Sequence, residues 1–141
     1  MRHNKIFSAA IALCAIAFFT VGSAPSALAL TPTPVTITGT YDFSTFPDVT
    51  GTFTTTGALT ISGDTTMHIG PNYNGTIAHC VVTLIASNGT IIIDQECQFA
   101  SSPPKGRWEI VSGTGAYANL NGNGSLTMPG NEEAMTGFIY R

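Results

Sequence analysis

The sequence has little charge, and very little of that charge is positive. Charged residues make up 9% of the 141 residues. After residue 29 the basic side chains are Lys105, Arg107 and Arg141, against eight acidic ones, so residues 30–141 carry a net charge of −5. Nucleic acids and anionic membrane surfaces are bound through basic patches, and no such patch is present. The sequence therefore predicts neither as a partner.

Motifs for catalysis, metal binding and phosphate binding are also missing. His68 and His79 have no carboxylate or cysteine at metal-ligand spacing, so both are interpreted as surface histidines. The glycine-rich run 112–115 precedes neither a lysine nor a helical pattern, which argues against a phosphate-binding loop. Glu132 and Glu133 are adjacent, and adjacent strand residues point to opposite faces, so they do not form a catalytic pair. No catalytic residue, metal ligand or cofactor is predicted.

The one long apolar run of the sequence lies at its N-terminus. A short basic stretch precedes the run from Ile6 to about Val21, and small residues follow it up to Ala29. This order is typical of a secretory signal peptide, and the run is too short to span a membrane stably. We therefore predict a signal peptide at residues 1–29, one secreted domain of 112 residues at 30–141, and an extracellular or periplasmic location.

Short alternating segments fill the rest of the chain. Residues 35–41 alternate apolar and polar side chains, and further strand-like segments follow, separated by turn residues. No segment has the pattern of an amphipathic helix. The sequence therefore predicts an all-β fold, a small antiparallel β-barrel of about eight strands, with a β-sandwich as the alternative. Closure into a barrel removes the exposed sheet edges that a secreted monomer must otherwise protect.

An Asn-Gly pair between two apolar-rich segments indicates a β-hairpin. If Asn88 and Gly89 form its two-residue turn, counting outward places Cys80 directly opposite Cys97. These are the only cysteines after the predicted signal peptide, because Cys14 lies within it. At this position the two Cα atoms would be about 4.5 Å apart, which is at the short end of the disulfide range. The sequence therefore predicts a cross-strand disulfide in an oxidising compartment.

The same count divides the hairpin into an apolar face and a mixed face. Gln95 is the one polar side chain on the apolar face, and a buried amide needs hydrogen-bond partners. Gln95 is therefore either satisfied within the core or lines an interior cavity. Trp108, the only tryptophan, is also expected inside. Together with Tyr41 and Tyr140, these two residues are the candidate ligand-binding residues.

Residues 108–126 resemble a signature of the allene oxide cyclase and dirigent-like barrel families. The signature is a strand, a Gly-Thr-Gly turn, an aromatic residue, a small residue and a closing glycine before the next strand. The matching positions, which cover less than a fifth of the chain, are Gly113, Thr114, Gly115, Tyr117, Ala118, Gly122 and Gly124. The resemblance implies an eight-stranded antiparallel barrel that can hold a small apolar ligand, but it transfers no active-site residue. Tyr117 and Leu120 are expected to anchor a one-turn crossover onto the barrel end.

Three functions remain open at this point. The favoured one is a secreted, disulfide-linked barrel that binds a small hydrophobic molecule in its interior or mouth. A fully packed interior would count against it. The second is an isomerase of the allene oxide cyclase type, which requires a pocket with convergent polar groups. The third is an extracellular structural or interaction module that acts through a surface rich in threonine and asparagine.

Overall fold

The structure, a computed structural model, describes residues 31–141 and shows a closed β-barrel. The predicted signal peptide and Cys14 lie outside the described residues. The eight strands are β1 (Thr33–Asp42), β2 (Asp48–Gly57), β3 (Ser62–Ile69), β4 (Ile77–Ala86), β5 (Gly89–Gln98), β6 (Lys105–Gly113), β7 (Asn121–Thr127) and β8 (Glu132–Tyr140). Each strand pairs antiparallel with its sequence neighbours, and β8 pairs with β1. The predicted barrel is confirmed, and the sandwich alternative is wrong.

Alternation of side chains along each strand separates the inside of the barrel from the outside. In β5, Ile91, Ile93, Gln95 and Cys97 are buried, whereas the side chains between them are more exposed. Most inward positions carry aliphatic, methionine or aromatic side chains. An eight-stranded barrel is just wide enough for such side chains to fill its interior. Within the described residues, no helix is long and apolar enough to cross a membrane.

Glycine occupies two positions where the strand geometry requires it. Gly57 ends β2 with a φ of 91°. Gly124 lies within β7, which begins at Asn121. A Cβ on Gly124 would lie 2.0 Å from the backbone oxygen of Thr136, so glycine lets β7 lie close against β8.

The β4–β5 hairpin has a different turn from the one that the Asn-Gly pair predicts. Ala86 pairs with Gly89, so the turn residues are Ser87 and Asn88. A type I′ turn at Asn88-Gly89 requires positive φ at both positions, and within the described residues only glycines have positive φ. A backbone contact across the barrel end explains the choice of turn, because the amide of Ala116 donates to the carbonyl of Asn88 at 3.0 Å.

The changed turn alters the pairing of the two cysteines. Cys80 lies opposite Gln95, and Cys97 lies opposite Ala78, so the expected direct pairing of the cysteines is wrong. Residues diagonal to each other across a strand pair are about 7–8 Å apart, beyond the usual disulfide range of about 4.4–6.8 Å between Cα atoms. Both cysteines are buried free thiols. The register moves by two residues, which preserves side-chain direction, so the predicted inward face and the inward position of Gln95 are confirmed.

The two ends of the barrel are built differently. At one end, the segment between β6 and β7 forms a single 3₁₀ turn at Gly115–Tyr117. Tyr117 and Leu120 are buried there, as expected for residues that anchor the crossover. The other end carries the β1–β2, β3–β4, β5–β6 and β7–β8 loops, including a 3₁₀ turn at Phe43–Thr45. We call this end the aromatic end because Phe46, Tyr73 and Phe99 lie on its loops.

Candidate functional site

Three of the four candidate ligand-binding residues point into the barrel, and one does not. Tyr41, Gln95 and Trp108 are each at most 3% exposed. Tyr140 is half-buried. Its side chain faces outward, because side chains alternate along β8 and the neighbouring Ile139 is buried. It lies by the open groove at the end opposite the aromatic end. Tyr140 is therefore not part of an interior site, whereas Tyr41 and Gln95 lie beside a residue that the sequence reading missed.

That missed residue is Glu133, the second residue of β8. Its side chain is completely buried, unlike that of Glu132, which faces outward. The signal was present in the sequence, since Glu133 has the same parity as the buried Met135 and Ile139. The Tyr41 hydroxyl donates a hydrogen bond to Glu133 Oε2 at 3.0 Å. Glu133 Oε1 is buried and has no hydrogen-bond partner.

A glycine on β1 makes the contact between Tyr41 and Glu133 possible. Gly39 pairs with Glu133 across the β1–β8 ladder. A Cβ at Gly39 would lie 3.0 Å from Tyr41 Cε2 and 3.1 Å from its hydroxyl oxygen. The Tyr41 ring therefore lies back over Gly39, and its hydroxyl reaches the carboxyl on the neighbouring strand. The sequence Gly-Thr-Tyr at 39–41 encodes this geometry locally.

Burial dominates the electrostatics of the Glu133 carboxyl. It raises the pKa of Glu133 from 4.5 to about 7, while the neighbouring Gln95 amide and Tyr41 hydroxyl act in the opposite direction. Burial and the Glu133 charge raise the pKa of the Tyr41 phenol well above its usual range. Among the described residues, the buried set contains no lysine, arginine or histidine, so no positive side chain in the interior compensates this carboxylate.

The Gln95 amide lies near enough to Glu133 to lower the pKa of that carboxyl, but its partners within hydrogen-bond distance are both sulfur atoms. Its Nε2 donates to the Met135 thioether at 3.2 Å, and its Oε1 accepts from the Cys97 thiol at 3.9 Å. Sulfur is a weak acceptor and a thiol is a weak donor. Hydrogen bonding to Cys80, followed by burial, raises the pKa of the Cys97 thiol. The Thr65 hydroxyl is a further buried group with no hydrogen-bond partner. The interior thus holds several polar groups whose hydrogen-bonding capacity is incompletely used.

Trp108 fills space rather than presenting a free donor. Its indole Nε1 donates to the backbone oxygens of Ser125 at 3.1 Å and Thr136 at 3.3 Å. Its ring occupies room left by glycine, because a Cβ at Gly137 would lie 2.8 Å from Trp108 Cζ2. Trp108 is inside as predicted, but its donor is already used by the backbone. We therefore assign it to the packed wall of the barrel.

The two histidines lie on the outer surface, as the sequence predicts. His68 Nδ1 lies 2.6 Å from Asp48 Oδ1, and His79 Nε2 lies 3.9 Å from Glu96 Oε2, which Arg107 also contacts at 3.1 Å. Surface contacts of this kind contribute about 0–1 kcal/mol each. Within residues 31–141, no group of three or more histidine, cysteine, aspartate or glutamate side chains is arranged to hold a metal ion.

The arrangement can therefore accept a hydrogen bond inside an apolar barrel. The Glu133 carboxyl supplies an unused acceptor oxygen, and Tyr41 fixes its orientation. The other buried side chains are mainly apolar, including Met67, Met135 and Leu126. Comparison of the chain with protein-family models, curated proteins and solved structures finds no match.

Proposed function

We propose that this chain is a secreted β-barrel that binds a small, mostly apolar molecule, and that one donor group of this molecule bonds to Glu133. The observation that carries the proposal is the completely buried Glu133 Oε1, which has no hydrogen-bond partner. More than nine in ten buried polar groups in proteins are paired, and leaving one unpaired costs about 1–3 kcal/mol or more for a charged group. A hydroxyl, amide or amine of a ligand would supply the missing donor.

The rest of the interior defines the remainder of the ligand. The side chains of the interior are mainly apolar, so the molecule must be mostly apolar to be stable beside them. These side chains fill the interior closely, which counts against a preformed cavity, so the ligand must be small and must displace some of them. Met67 and Met135 are the best candidates for displacement because unbranched methionine side chains repack easily.

The proposal is tested by recovering the ligand from its natural source. Native mass spectrometry of the protein purified from its host, compared with the same sample after denaturation, would reveal a bound small molecule as excess mass. We expect the excess mass in the wild type and in Glu132→Gln, and its loss in Glu133→Gln. Retention of the molecule by Glu133→Gln at equal occupancy would show that the carboxyl does not hold it. A wild type without excess mass that also binds nothing in a screen of apolar alcohols and amines would contradict the proposal.

A second candidate function is an isomerase that moves a proton within a bound apolar substrate. It is favoured by the geometry of Glu133, a completely buried carboxyl that the Tyr41 hydroxyl holds at 3.0 Å. Burial raises its pKa to about 7, and a general acid or base works best when its pKa is near the operating pH. Glu133 would take the proton and return it, and Tyr41 would hold the carboxyl in place. Glu133→Gln should then retain ligand binding in part but lose turnover completely. If the wild type binds the ligand but does not convert it, the isomerase candidate is excluded and ligand binding remains the proposed function.

A further inference from the structure

The aromatic end carries a row of contacting aromatic side chains that begins in solvent and ends at the core. Phe46 is 56% exposed and Tyr73 is 42% exposed. Their ring centroids are 6.4 Å apart, and those of Tyr73 and Phe99 are 5.5 Å apart. Phe99 is partly buried and packs against the core. Large exposed aromatic side chains on adjoining loops are typical of sites that bind apolar molecules.

The polar site lies in the half of the barrel nearest this aromatic end. Glu133 is the second residue of β8, and Tyr41 is the next-to-last residue of β1. Gln95 and Cys97 are near the end of β5, and Cys97 is two residues from Phe99. From the outside inward, the row of aromatic rings is thus followed by the Cys97 thiol, the Gln95 amide and the Met135 thioether.

At the opposite end of the barrel, hydrogen bonds join the β4–β5 hairpin to the β6–β7 crossover, and an open groove lies beside Leu120, Ile139 and Tyr140. Thr114 donates its amide to the Thr90 carbonyl at 2.9 Å, and Ala116 donates to Asn88 at 3.0 Å. The Thr114 hydroxyl accepts from the Thr90 amide at 3.0 Å. The buried side chains of Tyr117 and Leu120 lie beneath these contacts. To reach the carboxyl from this side, a molecule would have to break the hydrogen bonds between the β6–β7 crossover and the β4–β5 hairpin.

We infer that the aromatic end is both the entrance to the interior and the outer part of the ligand site. This inference rests on the proposed function. The ligand it implies is an elongated molecule, with a donor group at the Glu133 carboxyl and an apolar portion that extends towards Phe99, Tyr73 and Phe46. Opening requires the β1–β2, β3–β4 and β5–β6 loops to move apart, which separates the rings and breaks the backbone hydrogen bonds from the Phe99 amide to Thr76 at 2.7 Å and from the Ile69 amide to Pro47 at 3.0 Å.

The buried cysteines allow the entrance to be tested without any ligand. Iodoacetamide reacts with Cys80 and Cys97 only when the interior opens, and the labelling rate reports how often that happens. In the reduced protein, we expect the labelling rate to exceed the rate that global unfolding alone would give. At low urea concentration, the labelling rate should be nearly independent of urea. Phe46→Ala and Tyr73→Ala should each accelerate labelling about fivefold, which corresponds to about 1 kcal/mol.

The matched control is Phe138→Ala, because Phe138 is 51% exposed but lies on the outer wall of β8 rather than at the aromatic end. Urea unfolding of each variant separates local opening from loss of global stability. Acceleration in Phe46→Ala and Tyr73→Ala, with none in Phe138→Ala and unchanged global stability, supports the entrance. Equal labelling rates in all three variants, or labelling that follows global unfolding in each, would overturn it. A failure of Glu133→Gln to affect ligand binding would instead overturn the proposed function and leave the labelling result intact.

Discussion

The buried carboxyl of Glu133 should make the stability of the barrel depend on pH in an unusual direction. Its pKa rises from 4.5 to about 7 on folding, so between these values the folded protein binds more protons than the unfolded chain. The contribution of Glu133 to the free energy of unfolding is therefore greatest below pH 4.5 and falls as the pH rises through 7. At 1.36 kcal/mol per pKa unit, the total loss is about 3 kcal/mol.

The substitution that isolates this effect is Glu133→Gln. Glutamine has nearly the same volume, keeps an oxygen that accepts from Tyr41 and does not titrate. We expect urea unfolding between pH 4.5 and pH 8 to show the decline in the wild type and in Glu132→Gln, whose substituted side chain is exposed. Glu133→Gln should lose that decline and unfold with nearly constant free energy across the same range.

The reasoning fails if the wild type keeps a constant free energy of unfolding over this range. It also fails if the free energy of unfolding of Glu133→Gln declines with pH as it does in the wild type, because another titrating group would then cause the decline. Besides burial, the groups that shift the pKa of Glu133 are the Gln95 amide, which does not titrate, and the Tyr41 hydroxyl, whose pKa lies well above this range.

Three further predictions follow from the packing and the register. Tyr41→Phe leaves both oxygens of Glu133 without a donor, so it should destabilise the barrel by about 1–3 kcal/mol at neutral pH and raise the pKa of Glu133 further, measurable by urea unfolding across pH. Gly137→Ala places a Cβ 2.1 Å from the Asn123 backbone oxygen, so it should cost about 1–3 kcal/mol or more, and unchanged thermal stability would contradict the close β7–β8 approach. When the protein is denatured without a reductant, Cys80 and Cys97 should each take up one alkyl group. A mass that shows no alkylation would indicate that the two cysteines form a disulfide.

The barrel and its inward face could be predicted because they depend on alternation, which is a local property. Gln95 was correctly placed inside even though the assumed turn was wrong, since a two-residue change of register preserves the direction of every side chain. The pairing of Cys80 with Cys97 could not be predicted in the same way. It depends on the turn, and the turn is fixed by a backbone bond from Ala116, which is distant in sequence.

The site itself was only partly predictable. Tyr41 and Gln95 were among the candidate ligand-binding residues, but Glu133 was considered only together with Glu132 as a catalytic pair, which adjacent strand residues cannot form. Its parity with the buried Met135 indicates the inside, although acidic residues are rarely buried. Gly39 and Tyr41 lie on one strand, but the Glu133 carboxyl that Tyr41 reaches lies on the neighbouring strand, so the contact is visible only in the folded structure.

The protonation of Glu133 tests the account most directly. Carbon-13 NMR of the side-chain carboxyls, with the Glu133 signal assigned by its absence in Glu133→Gln, follows this group alone as the pH changes. The account predicts a midpoint near 7, and a shift of that midpoint when a donor-bearing apolar ligand binds. A midpoint near 4.5, the ordinary value for glutamate, would mean that the carboxyl is solvated, and it would contradict the buried, unpaired acceptor on which the proposed function depends.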